Sequence, residues 1–308
     1  MLYPFTFRPI CRERVWGGRR LAELFNKNLP SGRPIGETWE ISDRPGAVSE
    51  ITNGPLAGRD LRWLMENHAE DLLGVAPPSN GRFPLLVKLI DAHEDLSIQV
   101  HPPAEVAAHL GGEPKAEAWH IIHAESDARI HVGLKEKATR EKFEACLKSG
   151  NIAECVHSVR PRAGDALHLP SGRLHALGGG IVLIEVQQNS DTTYRVFDWN
   201  RMGLDGQPRE LHIEQALTSI DFDDHVPALS PPGLIADTPG EFRMESRVLT
   251  PGESRACHGL VIIGIAKGAA RLDDLPLAAG EFALVPACVR EAVLHATTQT
   301  TLILAEPA

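Results

Sequence analysis

No stretch of about 18 consecutive apolar residues occurs, so no segment is read as spanning a membrane. Basic charge is also in short supply. The formal net charge is −10, which excludes a nucleic-acid partner as an expectation, because phosphate backbones need a basic face. No glycine-rich loop has the spacing of a nucleotide or dinucleotide phosphate cradle. The segment from Met1 to Pro9 carries Pro4, Arg8 and Pro9 and lacks the apolar core of a signal peptide. Cysteine is sparse: Cys11, Cys146, Cys155, Cys257 and Cys288 are odd in number, scattered, and without CxxC spacing. They read as reduced thiols packed as small side chains in a cytoplasmic protein, not as a disulfide framework or a thiolate zinc site.

The 308 residues suffice for two domains or one elaborated domain, with 43% hydrophobic and 23% charged residues as in an ordinary globular chain. An anionic small substrate is compatible with the acidic balance only where lysines and arginines gather locally. Glycine and proline, 27 and 23 residues, punctuate short apolar segments in the manner of β structure with tight turns. Strands are expected at Leu85–Ile90, Leu96–His101, Trp119–His123, Ala166–Leu169, Ile181–Gln187 and Tyr194–Trp199. A later set is expected at Phe242–Leu249, Val261–Ala266, Glu281–Val285 and Thr301–Ala305. Many short strands point to a barrel or sandwich.

Three stretches break this pattern with helical periodicity. Leu61, Leu64, Met65, Ala69, Leu72 and Leu73 fit one helix face closed by Gly74. Pro102 and Pro103 open a short helix over Ala104–Leu110, and Thr139 caps one carrying Phe143 and Leu147 that stops at Gly150. A linker is expected around Pro227–Pro239, where Pro227, Pro231, Pro232 and Pro239 crowd together. The sequence also echoes itself. Gly164-Asp-Ala-Leu-His-Leu-Pro170-Ser-Gly172-Arg-Leu-His175 has a counterpart beginning at Gly280, with Pro286 in register, Cys288 for Gly172 and Glu291 for His175. Two similar units are implied, only the first keeping a metal-binding histidine.

Side chains alternate across a strand, so Ser97, Gln99 and His101 share one face while Leu96, Ile98 and Val100 share the other. The polar face looks either into solvent or into a functional cavity, and this segment alone leaves both open. The spacing Gly164-x5-Pro170-x-Gly172-x2-His175 resembles the second motif of the cupin superfamily, in which a strand opens with a metal-binding histidine. The first cupin motif, usually His-x-His followed by a glutamate, reads here as Gln99-x-His101 with Glu117 downstream. An amide, two imidazoles and a carboxylate suit one divalent ion, zinc first, with manganese, iron or cobalt as alternatives.

The surrounding words are more specific. Pro84-Leu-Leu-Val-Lys88-Leu-Ile-Asp91, Leu96-Ser-Ile-Gln-Val-His-Pro102 and Gly112-Glu-Pro-Lys115-Ala-Glu117-Ala-Trp119 resemble type I phosphomannose isomerases in their short bacterial form. So do Val15-Trp16-Gly17-Gly18, Gly36-Glu37-Thr38-Trp39-Glu40-Ile41-Ser42 and the run from Glu185 through Asp191 and Arg195 to Trp199. The likeness runs from about residue 4 to about residue 215; beyond it only the strand-rich character is shared. Ala116 departs from the family's Lys-x-Glu middle position, leaving both chemical groups in place.

The resemblance implies a mainly β fold of two cupin-type jelly-roll barrels, with helical insertions in the first. Residues 1–230 would form the metal-binding catalytic unit and 231–308 a degenerate cupin-like unit. It implies metal ligands at Gln99, His101, Glu117 and His175, and pocket groups at Trp16, Lys88, Ser97, Lys115, Glu185 and Arg195. The activity implied is interconversion of mannose 6-phosphate and fructose 6-phosphate through a cis-enediolate. Arg195 would stabilise its charge, and Lys115 or Glu185 would act as the base; a lysine base requires surroundings that favour its neutral form. Lys88 and Arg201 are phosphate contacts in this reading. The partner is thus a small sugar phosphate, with no nucleic acid and no membrane. Two other readings compete: a bicupin dioxygenase using iron or copper, and a non-catalytic sugar-binding or regulatory bicupin. Gln99 in place of a histidine argues against the first, and the full set of charged pocket groups against the second. His68, His109, His131 and His258 stand alone, His120 and His123 point to opposite faces, and Trp119 and Trp199 read as packing residues.

Overall fold

Leu85, Val87 and Leu89 alternate with Lys88 and Ile90 along one strand, and both sets are buried. Such a strand needs cover on its two faces. In the computed structural model, which describes residues 2–231 and 233–308, that cover differs on the two sides. The chain is mainly β, with 42% strand and 14% helix.

A six-stranded antiparallel sheet runs in the order Ile10–Gly18, Ile35–Ile41, Leu85–Ala92, Ile181–Gln188, Glu117–Ala124, Ala166–Leu169. A five-stranded sheet has the order Tyr194–Phe197, Ile98–Val100, His175–Leu177, Ile130–Leu134, Val156–Val159. Trp16, Ile90, Trp119, Ile121, Ile130, Val132, Leu167 and Leu183 fill the core between the two sheets. Further on, Leu234–Thr238, Phe242–Leu249, Thr300–Pro307, Val261–Lys267 and Phe282–Val285 form a five-stranded sheet. Ser254–Cys257, Ala292–Ala296, Ala269–Leu272 and Leu275–Ala278 form a four-stranded one.

The echo seen in the sequence is therefore a repeat of architecture. Counted along the sheet strands from Leu85–Ala92 in the earlier half and from Phe242–Leu249 in the later, eight strands of each half share one order. Strands one, eight, three and six lie in one sheet and two, seven, four and five in the other, further strands being added at the edges. Ala166–Leu169 and Phe282–Val285, the two copies of the echoed segment, are both sheet edges. Each half is a pair of open sheets, and no closed barrel is found among the described residues. The interior of the later repeat is mainly apolar, with Ile263, Ile265, Leu272, Leu277, Ala283 and Leu294 buried in one cluster and an ion pair, Arg255 to the buried Glu245 at 2.8 Å, joining its two sheets. In the earlier repeat the corresponding space carries charge.

Helices decorate the earlier half. Thr139 accepts a hydrogen bond from the Lys142 N–H at the start of Arg140–Ser149, and Gly150 ends it in the left-handed region at φ 75°. The single helix expected through Leu73 is instead two, Leu61–Asn67 and Ala69–Leu73. His68 breaks it by leaving the helical basin, at φ −144° and ψ 29°. The expected Ala104–Leu110 helix shortens to Ala104–Ala107. The Pro227–Pro239 linker needs correcting too: Leu234–Thr238 is an edge strand paired with Phe242–Leu249, a place where flanking prolines cost no ladder bond. Pro232, counted in that linker, lies outside the described residues. Among the described residues no helix is long and apolar enough to cross a membrane.

The back of the six-stranded sheet is covered by the later repeat. Leu85, Val87, Leu89, Val182, Ile184 and Val186 share one apolar cluster with Phe242, Met244, Ile262, Leu284 and Ile303. Phe242 is wholly buried there. Phe242→Ala is expected to cost about 3–5 kcal/mol, as a large side chain removed from a core that closes only partly. Urea denaturation would measure this; a change below about 1 kcal/mol would show that the two repeats are not packed as described.

Candidate metal centre and substrate cavity

Three neighbouring strands of the six-stranded sheet set Lys88 opposite Glu185 and Glu185 opposite Trp119. One step along, Glu117 faces Gln187 in register. Strand alternation turns Lys88, Glu117, Trp119 and Glu185 to the face that looks at the second sheet. From that sheet, His175 stands opposite Gln99, and Gln99 opposite Arg195. The charged side chains of two sheets thus meet in one interior.

Glu117 lies at the meeting point. Its carboxylate is 3.4 Å from His101 Nε2 and 3.2 Å from His175 Nε2. The ligating atoms of His101, Glu117 and His175 all lie within 4.8 Å of one another, and all three residues are buried. The imidazoles are aimed by their other nitrogens, His101 Nδ1 lying 2.7 Å from the Thr192 carbonyl and His175 Nδ1 2.9 Å from that of Arg173. A carbonyl can only accept, so each Nδ1 carries the proton and each Nε2 presents its lone pair. Both oxygens of Glu117 are buried without a hydrogen-bond partner, although Lys115 Nζ lies 3.0 Å from Oε2. Two lone pairs and an under-satisfied carboxylate converging on one point have the chemistry of a divalent-cation site.

Gln99 joins the group, its amide nitrogen 3.3 Å from His175 Nε2 and its oxygen accepting from the Ser97 hydroxyl at 3.2 Å. Trp119 sets its ring edge-on to His175 with centroids 5.6 Å apart, and its indole N–H donates to Glu185 Oε2 at 2.9 Å. The other Glu185 oxygen accepts from Lys88 at 2.7 Å, and Lys88 also donates to Gln187.

The titration behaviour follows from burial and neighbours. Burial pushes the Glu117 carboxyl up, but the Lys115 ammonium beside it outweighs this and holds it well below the usual carboxylate range. Burial and then the Lys115 charge bring His101 down to about 3, so its ring is neutral and able to ligate. Burial and the Glu117 charge raise Glu185, against the pull of Lys88 and Lys115. At Lys88 burial acts downward, and Glu185, Glu37 and Asp191 more than reverse it.

These groups line a cavity of about 560 Å³ between the sheets. Of the residues singled out from sequence, Trp16, Lys88, Ser97, Gln99, Lys115, Glu185 and Arg195 all line it, and the buried His101, Glu117 and His175 adjoin it through Gln99 and Lys115. Arg201 stands apart. It is not on the cavity wall, and its guanidinium donates to Asp198 at 2.7 Å and to the Asp95 carbonyl at 2.5 Å. Sequence reading passed over a second group on the wall: Arg12 and Arg14 on the outermost strand, Glu37 on the next, and Arg209 from a later loop. Its signal was available, since Arg12, Arg14 and Trp16 occupy every second position of one strand. Trp119 packs in the core as read from the sequence, and its indole N–H also makes it a hydrogen-bonding member of the wall. His120 is buried on the opposite face of its strand and is not part of the cluster.

A buried, cation-ready cluster at the base of a charged cavity is the site of an enzyme that handles a small anionic molecule. The relatives narrow this to a family. The family model described as phosphomannose isomerase type I, catalytic domain, matches residues 5–112. A probable mannose-6-phosphate isomerase of Bacillus subtilis is 41% identical over 71% of this chain and 69% of its own length. A second mannose-6-phosphate isomerase of that organism is 40% identical over 71% of this chain and 68% of its own. The crystal structure of a B. subtilis mannose 6-phosphate isomerase superposes with a TM-score of 0.86 at 30% identity, over 99% of this chain and 100% of that one. The chain belongs to the type I phosphomannose isomerase family.

Glu37 offers a test of how the cavity wall is held. Its carboxylate accepts from Arg14 at 3.1 and 3.0 Å and from the Trp39 indole at 2.7 Å. Burial alone would raise it, but Arg14 and Lys88 bring it from 4.5 down to about 2. A carboxyl depressed in the folded state adds stability above its ordinary value and loses it as the pH falls from there toward about 2. The full shift corresponds to roughly 3 kcal/mol. Glu37→Gln should therefore flatten the acid limb of a stability-against-pH curve measured by denaturant unfolding. An unchanged limb would mean that Glu37 is not held as described.

Proposed function

We propose that the protein interconverts mannose 6-phosphate and fructose 6-phosphate, using one divalent metal ion, zinc first, held by Gln99, His101, Glu117 and His175. The observation that carries this reading is the convergence of His101, Glu117 and His175 at the base of a cavity in a chain of this family. Turning the Gln99 amide by half a turn presents its oxygen to the same point, completing four donors of mixed nitrogen and oxygen. A bound ion would supply Lewis acidity toward the substrate's oxygens.

The remaining chemistry falls to side chains. Aldose–ketose exchange moves a proton between C1 and C2 by way of a cis-enediolate. Both Glu185 oxygens are engaged, by Lys88 and Trp119, which suits Glu185 to setting the field of the site. Lys115, with Nζ 3.2 Å from His101 Nε2 and on the cavity wall, is assigned the proton transfer. Arg195, beside Gln99 in register and with a side chain that makes no protein hydrogen bond among the described residues, is assigned to the developing enediolate charge. Trp16, Lys88 and Ser97 shape the wall around the sugar. Residues 1–230 form the catalytic unit in this reading and 231–308 a degenerate copy, both of cupin type. The family relationship favours the isomerase over the dioxygenase and the binding-only alternatives.

Zinc-supplemented protein is expected to convert mannose 6-phosphate to fructose 6-phosphate in a coupled assay. Flat kinetics with a full metal complement would refute the reading. His175→Ala should lose both metal and activity, measured by metal analysis after dialysis. Arg195→Ala and Lys115→Met should keep the metal, with kcat reduced about a hundred- to a thousandfold. If Arg195→Ala lost the metal as fully as His175→Ala, its assigned role would be wrong.

A further inference from the structure

A sugar phosphate brings a dianion into the cavity, and most cations on the wall are already committed. Arg14 is bonded to Glu37, Lys88 to Glu185 and Gln187, Lys115 lies against Glu117, and Arg209 is bonded to Asp198. Only Arg12 and Arg195, among the described wall residues, have guanidinium groups with no protein acceptor, and the Nε of each is buried without a partner. A buried donor left unpaired is costly unless something else binds it.

The two arginines occupy different ends. Arg195 adjoins Gln99 in register, at the metal end. Arg12 is on the outermost strand of the six-stranded sheet, with three strands between it and the strand of Glu117. Four spacings of about 4.8 Å put these strands roughly 19 Å apart. Arg12 and the cluster's neighbours Gln99 and Lys115 line the same cavity of about 560 Å³. Arg12 also has a fixed plane. Its guanidinium carbon lies 4.4 Å from the centroid of the Trp39 ring, whose indole is pinned by Glu37, which Arg14 holds in turn. A planar fork with its free N–H groups held in one orientation is suited to bidentate binding of a phosphomonoester.

We propose that Arg12, laid on Trp39, is the phosphate-binding residue of the substrate cavity, gripping the far end of the sugar while its reacting end meets the metal cluster. This rests on the isomerase reading. Arg12 thereby becomes a specificity-determining residue that separates phosphorylated from free sugars, the role first given to Lys88 and Arg201.

The test uses the zinc-loaded full chain, with mannose 6-phosphate, mannose and inorganic phosphate as probes. Arg12→Gln should lower the ratio of kcat/KM for mannose 6-phosphate over mannose by about tenfold or more, the loss carried by KM and not kcat. Binding of inorganic phosphate, followed by calorimetry, should weaken by a similar factor. An unchanged ratio, or an equal loss on both sugars, would overturn the assignment. Should Arg12→Gln fail to fold, Arg12→Lys keeps the charge and loses the fork, and a KM that does not rise would overturn the proposal equally. Wild-type protein that binds inorganic phosphate through Arg12 yet turns over neither sugar would sink the isomerase reading while leaving Arg12 as the phosphate-binding residue of the cavity.

Discussion

The earlier repeat is organised around the problem of keeping one carboxylate charged inside a protein. Glu117 is only 1% exposed, and an ionised carboxylate in that position is unfavourable unless charge and hydrogen bonds surround it. Lys115 from its own chain segment supplies the charge, and His101 and His175 from the facing sheet aim their lone pairs at the same point. Each of those has its own support, a backbone carbonyl behind each imidazole. The two sheets can therefore meet through polar side chains here, where elsewhere they meet through Ile121, Ile130 and Leu183.

The comparison with the later repeat shows what this arrangement replaces. The same order of eight strands, filled with Ile263, Ile265, Leu272 and Leu294, closes mainly over hydrocarbon, its two sheets bridged by the Arg255–Glu245 pair where the earlier half gathers a carboxylate and two imidazoles. Scaffold and chemistry are separable: the strand order is common to both halves, and the site depends on a few inward positions of one.

Much of this was legible in the sequence. Alternation along Leu96–His101 put Ser97, Gln99 and His101 on one face, and their side chains do turn inward together, although the regular strand is only Ile98–Val100. Thr139 and Gly150 marked the ends of a helix because capping is a local matter. What stayed hidden depends on which strands become neighbours. Nothing in the spacing of Arg12, Glu37 and Trp39 announces that Ile10–Gly18 pairs with Ile35–Ile41 and so gathers them on one wall. That Trp119, a core residue as expected, also bonds Glu185 stayed hidden because the contact crosses 66 residues of sequence. The prolines near residue 231 suggested a linker, since a proline count cannot tell a tether from a sheet edge.

The shared apolar cluster behind the six-stranded sheet gives the later repeat a mechanical job. Val87, Ile184 and Val186 lie one position away from Lys88 and Glu185 and point the other way, onto Phe242, Met244 and Ile303. The cavity wall is thus braced from behind by a buttress of side chains from the later repeat. Sequence drift in that buttress is free on its outward surface and restricted on the one side that abuts the sheet. A chain trimmed to its earlier half would bare a hydrocarbon slab to water and clump.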